Sequence, residues 1–235
     1  MRFALPFLLL CAAPAFAAAA DRSLSLTDFD RVRIDGSFVV EIRTGTATSG
    51  RISGTQAAIE AVSVEVQGRQ LNIRRNRSSW GGYPGQVPTA ATIRLTVPSL
   101  ANIWVSGPAK VSVDRLKGLR VAASLEGPGA LSIANVSADR MELATLGSGT
   151  LVVSGTVATL NATARGAGTF DAGKLAVSDL TLTSESAGVV TVAVKRAANV
   201  TMTGSGTVTV LGKPACTVKN IGSGTVACGS DQPQR

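Results

Sequence analysis

From about residue 106 onward, apolar side chains fall on every second position in short bursts. These are Val111 and Val113, Leu131 and Ile133, Leu151 and Val153, Phe170 and Ala172, Val190 and Val192, Val208 and Val210, and Val226 and Cys228. A period of two predicts half-buried strands rather than helices. The positions between them are small or polar, as at Thr150, Thr169, Thr207 and Thr225, which suits a solvated sheet face. Each burst begins two residues after a tripeptide of small residues, and that tripeptide returns every 18 to 20 residues. It reads Gly107-Pro108-Ala109, Gly127-Pro128-Gly129, Gly147-Ser148-Gly149, Gly166-Ala167-Gly168, Ser186-Ala187-Gly188, Gly204-Ser205-Gly206 and Gly222-Ser223-Gly224. A second strand precedes each tripeptide, as in Leu160 to Ala164 and Val200 to Thr203. Another corner is expected between the two strands, at Ser154 to Ala158 and at Leu211 to Ala215.

Self-similarity at this period predicts an all-β, parallel β-helix or β-solenoid, because one repeat cannot bury its apolar face alone. A right-handed coil is expected, since parallel crossovers strongly prefer that hand. Glycine suits the corners either because the backbone needs positive φ or because adjacent coils approach too closely for a side chain. A phosphate-binding loop would have to open a helix, whereas every Gly-x-Gly here leads into a strand. Gly168 to Leu175 imitates such a loop, but Leu175 replaces the hydroxyl that would hold magnesium.

Residues 18–105 are strand-like but less regular, with Val32-Arg33-Ile34, Val62 to Val66 and Ile93 to Val97, and are read as outer coils continuous with the 106–229 array. Turn formers over 78–90 predict a surface loop. It carries Trp80 and Tyr83 beside Arg74, Arg75 and Arg77, a candidate ligand surface in a chain with only 4% aromatics. The plainer alternatives are rings folded back on the nearest sheet and arginines that are simply solvated.

The start, Met1-Arg2 followed by an apolar run and Ala15-Phe16-Ala17, has the form of a signal peptide over 1–17, with cleavage as late as Ala20. A bilayer span needs a longer apolar run, and Leu10 stands where lipidation of Cys11 would call for a small residue. Export leaves Cys216 and Cys228, both at inward-pointing positions of the last repeat; the reading is a disulfide or a pair of small buried hydrophobes. Residues 230–235 form a tail.

The net charge is +8, which favours anionic envelope components, glycans or a host surface. Nucleic acid is not expected, because the basic cluster is small and no reading motif accompanies it. The chain contains no histidine, which excludes Ser-His-Asp and Cys-His chemistry, and no metal site or cofactor is expected. Glu126, Glu142, Asp171 and Glu185 lie near successive corners, and stacking could pair two of them as in a pectinase-type enzyme. That is the alternative to a non-enzymatic exported binding protein, as is a periplasmic scaffold contacting lipopolysaccharide.

Three corners, Gly147-Ser148-Gly149, Gly204-Ser205-Gly206 and Gly222-Ser223-Gly224, carry a family resemblance. So do the opening Phe29 to Gly36 with Val40-Glu41-Ile42, and Val97-Pro98-Ser99-Leu100 before Val105-Ser106-Gly107. Together they resemble the bacterial head GIN domain family of auto-transporter adhesins over nearly the whole mature chain. The resemblance implies a pectin-lyase-like β-helix with Gly-Ser-Gly turns and without catalytic residues. It departs from a complete autotransporter in showing no membrane-barrel segment.

Overall fold

The computed structural model describes residues 20–76 and 90–230. The segment expected to be a signal peptide, Arg77, Trp80, Tyr83 and the residues beyond 230 lie outside the described residues. The expected parallel solenoid is present. Strands Ala130–Gly147, Thr150–Gly166, Thr169–Ser186 and Val189–Met202 stack one on the next in parallel register. Leu131 lies level with Leu151, then Phe170, Val190 and Val208; Met141 lies level with Leu160, Leu180 and Ala198. All are buried. The period-two pattern thus becomes aliphatic ladders along the axis, each fully buried Leu or Val contributing about 1.5–3 kcal/mol relative to exposure.

One coil has three sides, not two. In Thr150–Gly166, Leu151 and Val153 fill the first side, Val157 the second, and Leu160, Ala162 and Ala164 the third. The segment expected to be an open corner at Ser154 to Ala158 stays hydrogen-bonded, with Gly155, Thr156 and Val157 paired to Val136, Ser137 and Ala138 below and to Leu175, Ala176 and Val177 above. The change of direction is made by register shifts between Ile133 and Val136 and between Val152 and Ser154.

At the small-residue corners both reasons for glycine operate, at different positions. Gly147 has φ +116, outside the range an L side chain readily adopts. A Cβ on Gly149 would stand 2.5 Å from the Gly129 carbonyl oxygen of the coil below. Where serine replaces the first glycine, its side chain does useful bonding: Ser186 Oγ donates to the Gly166 carbonyl at 3.0 Å and accepts from the Gly188 amide at 2.9 Å.

The N-terminal residues join the same sheet with a different order. Arg31–Asp35 lies between Gln70–Arg75 and Asn102–Ser106, parallel to both; Val39–Thr44 lies between Thr92–Val97 and Lys110–Val113 in the same way. The 31–44 coil is therefore inserted beneath the array, and the strands Gln70–Arg75 and Thr92–Val97 sit outside it. Antiparallel strands Ser49–Gly54 and Val62–Gln67 then cover that end.

At the other end no described residue covers the last coil. Cys216 and Cys228 take the register positions above buried Ala198 and Val210, yet Cys216 is exposed and Cys228 only partly buried. The inward position expected for both is met in register, but burial is lost because no further coil follows among the described residues. A disulfide joins the two cysteines across the strands Ala215–Asn220 and Thr225–Ser230, closing a loop with a sequence separation of 12. Replacing both by serine is expected to cost about 3 kcal/mol through a less constrained unfolded chain. Hydrogen exchange should rise in residues 215–230 and stay unchanged in residues 130–166.

Candidate functional site

The outward positions of the third side form rows that cross the coils. One row runs Arg33, Trp104, Ser124, Ala144, Thr163, Thr183, fixed by strand register. Trp104 is on this row because Asn102–Ser106 alternates, with Ile103 and Val105 buried and the residues between them facing out. The residue is 38% exposed, whereas the other aromatics among the described residues, Phe29, Phe38 and Phe170, are buried. The Arg33 guanidinium lies over Trp104 at 4.0 Å from the ring centroid, a cation–π contact that orients the indole. On the other flank, Ser124 and Ala144 are too small to cover the ring. A shallow depression of about 500 Å³ results, lined by Trp104, Arg33, Asn102, Ser124, Glu126 and Ala144 among others.

Such a site offers a flat apolar ring, a low floor, and donors and acceptors at the rim. It is suited to a flat amphipathic ligand held by stacking and hydrogen bonds. It is open to solvent rather than enclosed.

The arginine cluster behaves differently. Arg74 Nη2 donates to both Glu65 oxygens, at 3.2 and 3.0 Å. The Ser63 hydroxyl and then Arg74 hold the Glu65 carboxyl below its ordinary range. Arg74 is therefore engaged with its neighbour across the antiparallel pair, while Arg75 is exposed at the end of the strand. The other three residues of the expected surface, Arg77, Trp80 and Tyr83, lie outside the described residues.

The acids near the corners do not gather. Glu185 is held by Arg165 at 2.9 Å, and Asp171 Oδ1 accepts from the Gly173 amide at 2.9 Å. Glu142 is level with Ala122, four residues before Glu126 on the adjacent strand. That separation is roughly 13 Å at strand rise, beyond the spacing of glycosidase carboxylates. Among the described residues no group of three or more His, Cys, Asp or Glu could hold a metal ion, and no helix is long and apolar enough to cross a membrane.

Fold and site together define a parallel β-solenoid with an open depression beside Trp104 on one side. The family model described as "Putative auto-transporter adhesin, head GIN domain" matches residues 28–214, and the chain belongs to that family. The structure is similar to that of a "putative adhesin" from Bacteroides fragilis NCTC 9343, with TM-score 0.81 and 19% identity, covering 89% of this chain and 96% of that one. It is also similar to a "putative adhesin" from Parabacteroides merdae ATCC 43184, with TM-score 0.72 and 18% identity over 90% of this chain and 96% of that one. A "Putative lipid binding protein" from Parabacteroides distasonis ATCC 8503 has TM-score 0.71 and 19% identity over 90% and 97%. At these identities the likeness establishes the shared fold. No curated protein matches the chain.

The sequence singles out Trp80 and Tyr83 and not Trp104, although a local signal for Trp104 exists. The run Asn102-Ile103-Trp104-Val105-Ser106 puts the indole on the opposite side from two β-branched apolar residues. Its partner Arg33 was not readable, because only the inserted N-terminal coil brings positions so distant in sequence side by side.

Proposed function

We propose that this chain is an exported, non-enzymatic adhesin-type module that binds glycan on the outward face around Trp104. The observation that carries this reading is the Trp104 indole, braced by Arg33 on one flank and left uncovered beside Ser124 and Ala144. Sugar rings stack on such a surface through their apolar faces while their hydroxyls bond to the rim. Beyond the ring, the same row continues through Thr163, Thr183 and Thr201, and the row beside it carries Asn161, Thr181 and Asn199. From Trp104 to Thr201 this track spans roughly 24 Å at the usual spacing between strands, which suits an extended chain of sugars. Membership of an adhesin head family supports a role in contact with a surface, and the signal-like start supports export.

A glycan array probed with the wild-type chain and with Trp104→Ala tests this. Retained glycans should be lost in the variant at unchanged unfolding midpoint; equal retention by both would overturn the proposal. Incubation of the chain with oligogalacturonides should yield no shorter products, whereas cleavage would revive the catalytic alternative.

A further inference from the structure

We infer that the ligand of this face carries an anionic group, a carboxylate or sulfate, received by a second subsite at Arg120 and Arg140; this rests on the glycan reading of Trp104. A second hollow of about 300 Å³ adjoins the first and shares Asn102 and Ala122 with it, so the two form one trough. Arg120, Val121, Arg140, Glu142 and Asn161 complete its lining.

Arg120 and Arg140 are register partners on adjacent parallel strands, and both are exposed. Their backbones lie about 4.8 Å apart, and like charges directly opposite each other repel. Several arginines elsewhere on the molecule are engaged: Arg165 with Glu185, Arg196 with Asp179, Arg74 with Glu65, Arg94 with Glu41. No described carboxylate lies within ion-pair distance of Arg120 or Arg140. An anion between two guanidinium groups would relieve the repulsion and accept charge-assisted hydrogen bonds from both. Glu142, two residues beyond Arg140 on the same side of the strand, leaves the hollow net positive and offers acceptors to sugar hydroxyls.

The placement also sets ligand length. Arg120 precedes Ser124, the register neighbour of Trp104, by four residues on one strand, or roughly 13 Å. A ring on Trp104 and an acid at Arg120–Arg140 must therefore belong to different sugar units of one oligosaccharide.

The test uses matched probes, one anionic and one neutral in each pair: a galacturonate hexamer and its methyl ester, and a sulfated cellohexaose and unmodified cellohexaose. Titration calorimetry of the wild type should show about tenfold tighter binding of the anionic member of a pair, narrowing as salt is raised. Arg120→Gln/Arg140→Gln should bring that ratio to about one with the neutral member unaffected, while Trp104→Ala weakens both members alike. A charge preference that survives in the double variant, or a wild type that does not distinguish the members, overturns the anionic subsite and leaves the stacking site standing. Failure of the wild type to bind any of the four probes, or binding that Trp104→Ala leaves untouched, overturns the glycan reading itself.

Discussion

Replacing Gly188 by alanine is expected to destabilise the solenoid by at least about 3 kcal/mol, at or above the upper end of ordinary overpacking costs. The added Cβ would lie 1.9 Å from the Gly168 carbonyl oxygen and 2.9 Å from the Ala167 carbonyl carbon, so the obstacle is backbone, not a movable side-chain tip. Relief requires the two coils to separate. Doing so strains the bonds that tie this corner to its neighbours, Ala187 N–H to Gly166 O at 2.7 Å and Val189 N–H to Gly168 O at 3.3 Å. The hydroxyl of Ser186, which bridges the same two coils, would be displaced with them. Because each coil is held chiefly by its neighbours, the coils beyond Gly188 should loosen first. Gly173→Ala is the matching control: its Cβ would meet the Asp171 carboxylate at 3.2 Å and the Thr191 methyl at 3.4 Å, both side-chain atoms that can yield. Urea unfolding of the two variants should give a midpoint far below wild type for Gly188→Ala and close to it for Gly173→Ala. Similar midpoints for the pair would contradict backbone crowding as the reason for the corner glycines.

Trp104→Ala is expected to weaken glycan binding by about 2 kcal/mol, roughly thirtyfold in Kd, as removal of a central aromatic anchor does. Stability should move by less than about 0.5 kcal/mol, since the indole lies on the outward side of its strand and fills no core space. Trp104→Phe keeps a flat ring and should retain part of the affinity. Arg33→Gln removes the cation that braces the indole, so a smaller loss is expected from it than from removing the ring. Calorimetry with the tightest glycan on the array, alongside thermal unfolding, separates lost contact from lost fold. A large fall in unfolding midpoint for Trp104→Ala would mean that the ring is a structural part of the sheet.

The ladders were legible because two periods coincide: two residues along a strand, and 18 to 20 residues from coil to coil. Leu151, Phe170, Val190 and Val208 had to stack once both were recognised. The middle side of each coil was harder to see, since Gly155 and Thr156 read as turn formers while the backbone there remains paired above and below. The insertion of Arg31–Thr44 beneath the array is not encoded in any local pattern. An alternating strand shows which side is buried but not which neighbour it will join. For the same reason Trp80 and Tyr83 stand out in the sequence among turn formers, while Trp104 sits inside an ordinary strand and acquires its setting only from register.

The inserted coil makes the two ends of the molecule unequal under load. At the array end, the covalent tie between Cys216 and Cys228 in the outermost coil takes the strain first, and the strands beneath it then leave one ladder at a time, as a zip opens. At the opposite end, Arg31–Asp35 and Val39–Thr44 are each clasped on both edges, so withdrawing them shears two ladders together. A tether pulled from that side meets the stiffer resistance, and the face bearing Trp104 rides directly on the clasped segment.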